Sequence, residues 1–348
     1  MPAPTGCSRI IQLHPTRRCN LRCLHCYSES GPRERGDLDA ALLCRAIREA
    51  AGEGYTVASF SGGEPVLYPH LREALDEAHR CGMLTTVTSN GMLLDGERLS
   101  ALSGGADLLA ISIDGVPESH DKIRASKRAF RDMESRLCGV RASGIPFGFI
   151  FTLTQYNLDE LEWVAAFALE QGARLLQIHP LEEVGRAREE MSGDRPDAEE
   201  AAYAYLEALR IQEAVGDRMV VHVDLLDREY SREHPERVFA DELTDEEVAS
   251  RPFADLLSPV VVEEDGTVVP IQYGFAREYA LGNLHESGLS ELIARWRGRG
   301  MAGFRGLCRR VFRETSAPAE LPFFNWYEEL GRAAEHGPGA TPAPAAAR

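Results

Sequence analysis

The sequence predicts an α/β protein built on a parallel β-sheet, and three observations lead to this fold class. Six short apolar runs alternate with helical patterns over about 170 residues. The unusual glycine-rich or polar stretches of this region each directly follow one of these runs, as expected where a strand meets a turn. The chain has 348 residues, of which 44% are hydrophobic, so it can bury a large core. Such alternation is typical of parallel strands joined by crossover helices, in an open sheet or a partial barrel.

The predicted strands are short runs rich in aliphatic and aromatic residues, and the predicted helices have one apolar face. In the first helix this face consists of Leu38, Leu42, Leu43, Ile47 and Ala50. The predicted strands are 10–13, 56–61, 84–88, 107–113, 147–153 and 174–178. The helices between them are 38–51, 71–80, 97–102, 130–142 (with Gly144 as its C-cap) and 158–170.

The second half of the chain has a different composition. Pairs of acidic residues recur between residues 182 and 250, which we interpret as solvated helix faces, with one strand at 219–225. Residues 260–269 predict a β-hairpin around Asp265-Gly266, and 289–296 a short helix. The Pro-, Ala- and Gly-rich end predicts a disordered tail at 336–348.

Charge and cysteine content exclude several classes of protein. The net charge is −17 and the pI is about 5.1, so the surface should repel nucleic acid. The first 18 residues contain no apolar run of signal-peptide length, and no apolar run is long enough to cross a membrane. The eight cysteines do not form the framework of a small secreted protein. We therefore expect a cytoplasmic protein without nucleic-acid or membrane partners.

Three cysteines directly follow the first predicted strand, in the pattern C-x3-C-x2-C. They are Cys19, Cys23 and Cys26. Thiolates are soft ligands that select iron–sulfur clusters, zinc or copper(I). An iron–sulfur cubane usually takes four cysteines, so three would leave one iron open to an outside ligand. The alternative is a zinc site with His14 or His25 as the fourth ligand.

Further unusual stretches follow the next strands. In parallel sheets and barrels, ligands bind at the carboxyl ends of the strands, so the placement of these stretches predicts a shared site. The stretches are Gly62-Gly63-Glu64-Pro65, Thr88-Ser89-Asn90-Gly91, Ser112-Ile113-Asp114-Gly115 and His120-Asp121-Lys122-Ile123-Arg124.

Together, these motifs resemble those of the radical S-adenosylmethionine (SAM) superfamily over about residues 10–187. The resemblance implies a partial (β/α)6 barrel in which Cys19, Cys23 and Cys26 hold one [4Fe–4S] cluster. SAM would chelate the open iron and be cleaved reductively to a 5′-deoxyadenosyl radical. That radical would abstract hydrogen from a substrate.

The resemblance also implies which side chains shape the SAM site. Glu64 would accept hydrogen bonds from the SAM ammonium group, and Arg124 would pair with its carboxylate, which a guanidinium matches bidentately. Ser112 would face the ribose or the carboxylate. His179 would lie near the adenine or the substrate, unless it is a structural histidine. The complete predicted SAM-site set is Gly62, Gly63, Glu64, Asn90, Ser112, Asp114 and Arg124.

The hairpin sequence from Asp265 to Pro270 and the later Gly282-Asn283-Leu284 resemble the SPASM or twitch extension of this superfamily. That extension normally carries auxiliary clusters. Here Ile271 stands where a cysteine is expected after Pro270, Ser258 stands where another is expected, and only Cys308 remains downstream. The resemblance therefore implies a small C-terminal α+β extension without its cluster ligands, and it favours redox-neutral reactions such as epimerisation.

These observations predict a radical SAM enzyme in the maturation of a ribosomal peptide or natural product. Alternatives are heme- or quinone-type cofactor biosynthesis by the same chemistry, a non-catalytic Fe–S/SAM-binding regulatory protein, and a structural zinc protein. Expected partners are a peptide or small-molecule substrate and an electron donor such as flavodoxin or ferredoxin. We expect a barrel at 1–187, an acidic helical connecting segment at 188–250, the extension at 251–335 and the tail.

Overall fold

The predicted α/β alternation is present in the computed structural model, which describes residues 9–239 and 243–336. Each predicted strand forms within two residues of its expected bounds. The short helix α4 was not predicted, and it carries most of the stretch that ends at Arg124. The elements are β1 Ile10–Leu13, α1 Ala40–Gly52, β2 Val57–Phe60, α2 Leu71–Arg80, β3 Leu84–Ser89, α3 Gly96–Leu102, β4 Leu108–Ile113, α4 Pro117–Ile123, α5 Ala129–Ser143, β5 Phe147–Leu153, α6 Leu161–Gln171 and β6 Leu175–Pro180.

The first six strands lie side by side in chain order, and each neighbouring pair is parallel. Their apolar side chains meet on one face of the sheet, where Leu13, Phe60 and Val87 share one level of the register and are fully buried. The helices pack on this face, since Leu43, Ile47, Leu75 and others join the same core. The fold class expected from the sequence is confirmed.

The opposite face of the same strands is polar and mostly half-buried. Side chains alternate along a strand, so this face begins with Gln12, Ser59 and Thr86 at one level. We call it the polar face; its polar members are Gln12, Ser59, Thr86, Thr88, Ser112, Thr152, Gln177 and His179.

The second half of the chain extends the sheet at both ends. On one side β7 pairs with β6, and on the other β9 pairs in parallel with β1, followed by antiparallel β10 and β11. A separate small sheet joins β8 to β12. These elements are α7 Ala187–Glu190, α8 Ala198–Val215, β7 Val220–Val223, β8 Leu226–Asp227, α9 Arg228–Glu233, α10 Asp245–Ser250, β9 Val260–Val262, β10 Thr267–Pro270, β11 Gly282–Asn283, α11 Leu289–Arg299, α12 Met301–Thr315, β12 Phe323–Phe324 and α13 Trp326–His336.

The hairpin predicted around Asp265-Gly266 is the β9–β10 turn, and Gly266 has the positive φ of +82° that such a turn favours. The division of the chain into barrel, connecting segment and extension stays a prediction, although one continuous sheet crosses both boundaries. Nearly all of the predicted tail lies outside the described residues. Within the described part of the chain, no helix is long and apolar enough to cross a bilayer.

Candidate active site

The segment with the three cysteines, residues 19–27, lies at the carboxyl end of β1, and we call it the cysteine loop. It is held in place by Arg186, a buried residue after β6. The Arg186 guanidinium donates to the carbonyl oxygens of Cys23 (2.6 Å) and Ser30 (2.9 Å), and its backbone N–H donates to that of Cys26 (3.0 Å). Next to it, Gly185 has φ +55°, and a Cβ there would lie 2.3 Å from the Tyr27 carbonyl oxygen. The cysteine loop is therefore held by backbone contacts that do not depend on a metal.

The Gly62-Gly63-Glu64 turn packs against the same loop from the side of β2. A Cβ on Gly63 would lie 2.3 Å from the Arg18 carbonyl oxygen, so only glycine allows this approach. The fully buried Glu64 carboxylate accepts hydrogen bonds from the Ser89 hydroxyl and the Asn90 N–H, both at 2.9 Å. Glu64 thus joins the second predicted loop to the third.

Asp114 and Arg124 form a buried ion pair beside the cysteines. The Arg124 guanidinium binds both Asp114 carboxylate oxygens, at 2.5 Å and 3.2 Å, and its Nη1 lies 3.8 Å from Cys23 Sγ. His25 contacts the same carboxylate at 3.4 Å. Burial alone would raise the pKa of Asp114, but the positive charge of Arg124 holds it well below its usual range. The pair is therefore fully ionised at neutral pH.

Two further side chains fix the backbone of Asp114. Its N–H donates to His120 Nδ1 (3.1 Å), and its carbonyl oxygen accepts from the Asn157 amide (3.1 Å). Burial lowers the pKa of His120 to about 3, so its ring is neutral and can accept this bond. His120 therefore has a positioning role, and Asn157 is a site residue that the motifs did not predict.

The donors around the three sulfurs fit an iron–sulfur cluster better than a single metal ion. Cys19 Sγ faces the Leu21 N–H at 3.4 Å, Cys23 Sγ faces Arg124, and Cys26 Sγ lies 3.5 Å from the Ser28 hydroxyl. Hydrogen bonds to sulfur are a usual feature of cluster ligands. His14 stacks on Tyr273 and His25 contacts Asp114, so the two histidines of the zinc alternative have other partners.

Three aromatic rings form a group at the carboxyl end of β1, which we call the ring group: His14, Tyr27 and Tyr273. His14 stacks on Tyr273 with centroids 4.9 Å apart, and Tyr27 meets both edge-on at 5.7 Å. Burial lowers the pKa of His14 to about 3, and neither of its ring nitrogens has a hydrogen-bond partner in the described chain. Tyr273 comes from the segment after β10, two residues beyond Ile271.

Ionisable groups lie near the carboxyl ends of β6 and β7, on the far side of the sheet from β1. They come from these strand ends and from the C-terminal helix α13. His179 Nδ1 contacts the Asp224 carboxylate, which raises the pKa of His179 although burial opposes it. Glu182 accepts a hydrogen bond from the Asn325 amide at 3.0 Å. Glu328 of α13 pairs with Arg195 at 2.5 Å. The start of α13 and the residue before it are thus tied to the chain that follows β6.

The stability of the metal-free protein is expected to fall by roughly 2–3 kcal/mol between about pH 6 and about pH 8. Burial raises the pKa of both Glu64 and Glu182 to about 7. A carboxyl whose pKa is higher in the folded chain stabilises it at low pH, and this contribution is lost as pH rises through 7. Thermal unfolding across this range measures the effect. Glu182→Gln should remove about half of the slope; an unchanged slope would contradict the assignment to Glu182.

The structure brings most of the predicted SAM-site residues to one edge of the sheet. Glu64, Asn90, Asp114 and Arg124 surround the cysteine loop through the contacts above, and Gly62 and Gly63 form the adjoining turn. Ser112 lies on the polar face, two residues before Asp114 on the same strand end. Arg186 was missed as a functional residue, although its glycine neighbour was a signal for close packing.

The predicted losses in the extension have structural counterparts. The Ser258 hydroxyl accepts a hydrogen bond from the Ile10 N–H at 2.9 Å, so it fastens β1. Ile271 is nearly buried, and Cys308 lies in the apolar core on α12. All three positions therefore contribute to packing of the fold.

Comparison with known proteins identifies the domain that carries these motifs. Residues 13–168 match the sequence model of the Radical SAM superfamily. These residues form a radical SAM domain, so the resemblance in the cysteine loop and the following motifs is confirmed. Members of this superfamily bind a [4Fe–4S] cluster and SAM, which are the two cofactors expected from the sequence.

Two relatives illustrate the range of activities. The chain is 28% identical to the Fe-coproporphyrin III synthase of Methanosarcina barkeri, over 85% of this chain and 76% of that protein. It is 33% identical to the PqqA peptide cyclase of Ruegeria pomeroyi, over 51% of this chain and 48% of that protein. The chain thus spans about half the length of the peptide cyclase.

The fold is shared with a solved enzyme structure. SuiB of Streptococcus suis, in its crystal structure with bound S-adenosylmethionine, aligns with a TM-score of 0.65 and 15% identity. The alignment covers 86% of this chain and 68% of SuiB. At this identity, the likeness supports the partial barrel and its extension as a common architecture.

Proposed function

We propose that this chain is a radical SAM enzyme that uses a single cluster, held by Cys19, Cys23 and Cys26, to act on a peptide or natural product. When bound, the cluster would supply the electron for reductive cleavage of SAM, and the resulting radical chemistry would remove hydrogen from the substrate. The strongest support is the buried guanidinium of Arg124, aimed between Asp114 and Cys23. A cation fixed beside a soft-metal ligand suits the carboxylate of a SAM molecule bound at the open iron.

Different residues of the chain would bind the carboxylate and the ammonium group of SAM. Asp114 orients Arg124, which would hold the SAM carboxylate; Asp114 itself has both carboxylate oxygens occupied. Glu64 is buried and would become fully ionised beside the SAM ammonium group, because a nearby positive charge favours the carboxylate. Arg186 keeps the cysteine loop in place. The ring group and α13 would limit access of water from the two ends.

The proposal of a single cluster predicts about four irons per chain after anaerobic reconstitution. The support is chemical, since Ile271 and Ser258 cannot ligate iron and Cys308 lies on α12 in the core. Colorimetric iron and sulfide analysis measures the stoichiometry. Cys308→Ala should leave the iron content unchanged, and a content near eight irons would contradict the loss of the auxiliary site.

The chemistry of the polar face favours a substrate rich in hydrogen-bonding groups. Hydroxyl and amide side chains such as Ser59, Thr86 and Gln177 line it, together with His179. A peptide or polar natural product offers such groups along its whole length, so it fits this face.

Heme-type cofactor biosynthesis is the second candidate, because the synthase relative of Methanosarcina barkeri matches most of this chain. The two candidates differ in what they bind. Addition of Fe-coproporphyrin to the reconstituted protein should leave its Soret band unshifted under our proposal. A saturable shift that disappears in a Gln177→Leu variant would favour the tetrapyrrole instead.

The catalytic proposal is tested with SAM alone. The reconstituted protein is reduced anaerobically with dithionite and incubated with SAM, and 5′-deoxyadenosine is measured by mass spectrometry. Formation of the nucleoside supports the enzyme, and a loaded cluster that yields none would favour a non-catalytic regulatory protein. We propose that in the cell a flavodoxin or ferredoxin replaces dithionite, in the cytoplasm.

A further inference from the structure

Tyr27 lies between the segments that we propose to hold the cluster and SAM. It directly follows Cys26, and its hydroxyl is 3.0 Å from the Ser61 hydroxyl, which precedes the Gly62-Gly63 turn. The residue remains 38% exposed. Tyr27 therefore has part of its ring exposed, while its hydroxyl is hydrogen-bonded to Ser61 between the cysteine loop and the Gly62-Gly63 turn.

The remainder of the ring group fixes the position of Tyr27. The rings of His14 and Tyr273 stack on each other, and the Tyr27 ring rests edge-on against both. Such support restricts the movement of the side chain. Functional groups are held in productive positions by packed neighbours of this kind.

A redox-neutral radical reaction needs a group that returns a hydrogen atom to the substrate radical. Among protein side chains, thiol S–H and phenol O–H bonds are weak enough to do this readily. Among the described residues, the cysteines outside the loop lie on or beside helices rather than on the strand-end loops: Cys44 in α1, Cys81 after α2, Cys138 in α5 and Cys308 in α12. A phenol is therefore the better candidate.

Four other phenols are less suited to this role. Tyr55 and Tyr68 donate to backbone carbonyl oxygens within the core, each at 2.8 Å. Tyr273 donates to the Glu264 carboxylate at 2.9 Å. Tyr156, after β5, has a buried hydroxyl without a partner in the described chain and lies under Lys122. Tyr27, by contrast, bridges the cysteine loop and the proposed SAM turn.

We propose that Tyr27 is the hydrogen-atom donor of this site. This inference rests on the proposed function. Its O–H bond breaks and a C–H bond forms at the substrate carbon, which leaves a neutral tyrosyl radical. One electron from a low-potential donor of the flavodoxin or ferredoxin class, together with one proton from water, restores the phenol. Net oxidation of the substrate is thereby avoided without a second cluster.

The test uses SAM as the only added ligand, so it does not require the natural substrate. The reduced, cluster-loaded protein is incubated with SAM in deuterated buffer, where the phenol becomes O–D while carbon-bound hydrogens do not exchange. Without a substrate, the 5′-deoxyadenosyl radical stands in for the substrate carbon radical, so it takes up deuterium if Tyr27 donates to a carbon radical in this site. We expect singly deuterated 5′-deoxyadenosine and a tyrosyl electron paramagnetic resonance signal, both normalised to total nucleoside.

Three phenylalanine variants separate the possible donors. Tyr27→Phe should lose the deuterium and the tyrosyl signal, whereas Tyr273→Phe and Tyr156→Phe should keep both. Iron content and absorbance of each variant verify that its cluster is loaded. Deuterium that persists in Tyr27→Phe, or is absent from the wild-type product, would overturn the role of Tyr27 alone. No nucleoside from a loaded wild-type cluster would overturn the proposed function and this role together.

Discussion

Replacing Cys23 with alanine is expected to empty the proposed cluster site and to abolish formation of 5′-deoxyadenosine. Cys23 is the most buried of the three cysteines, and burial raises the pKa of its thiol to about 11. A bound metal would deprotonate such a thiol, so removing the sulfur removes both a ligand and a negative charge. Two thiolates cannot retain a cubane, so iron content and the charge-transfer absorbance should fall to background.

The metal-free fold should survive this substitution. The loop is held through the Cys23 carbonyl oxygen by Arg186, and this contact does not involve the side chain. Circular dichroism and the unfolding temperature should match those of the wild-type apoprotein. Cys138→Ala, on the exposed surface of α5, is the matched control and should keep both iron and activity. Wild-type iron content in Cys23→Ala would exclude the assigned ligand set.

The cysteine loop illustrates how much of this site could be predicted from sequence. Strands such as β4 and β5 are buried on both faces of the sheet and are bounded by glycine or polar turns. The local hydrophobic pattern of the sequence therefore locates them. The strand-end motifs then follow, because parallel strands place their carboxyl ends at one edge. Local information was sufficient wherever the element and its turn were contiguous.

Long-range pairing could not be predicted in the same way. β9 lies beside β1 although about 250 residues separate them, and Ser258 fastens Ile10 with a single hydrogen bond. Three valines in β9 are compatible with many neighbours, so their pattern does not identify the partner strand. The extension therefore continues the main sheet in a way that the hairpin sequence alone did not indicate.

The helix α12 was not predicted, although its sequence has the apolar periodicity of an amphipathic helix. Met301, Phe304, Leu307, Cys308 and Val311 recur at helical spacing, and all are buried in the structure.

The pairing of Asp114 with Arg124 could not be predicted from such a local pattern, since the two residues belong to separate motifs. Only the fold shows that the carboxylate of one motif neutralises the guanidinium of the other.

The largest expected effect on stability comes from breaking that pair, because both partners are buried. Arg124→Met should destabilise the apoprotein by roughly 3–5 kcal/mol, since it leaves the fully buried Asp114 carboxylate without its counterion. The lowered pKa of Asp114 means that the wild-type pair is lost only at strongly acidic pH. In the variant, burial should raise this pKa, so stability would improve as pH falls.

A double variant separates the loss of stability from the loss of SAM binding. Asp114→Asn combined with Arg124→Met removes both charges, so unfolding measured in urea should recover part of the deficit, with a coupling of roughly 1–3 kcal/mol. Equilibrium dialysis of the loaded protein with SAM should still show no binding, because the proposed partner of the carboxylate is gone.

The pair of Arg128, just before α5, and Asp132 in its first turn is a matched control for this experiment, since its atoms lie 3.2 Å apart near the surface. Arg128→Met should change the free energy of unfolding by less than about 1 kcal/mol and leave SAM binding intact, because exposed ion pairs contribute little. If Arg124→Met were no more destabilising than Arg128→Met, the buried pair would not be the anchor of the site. If the double variant bound SAM normally, Arg124 would not be the partner of its carboxylate.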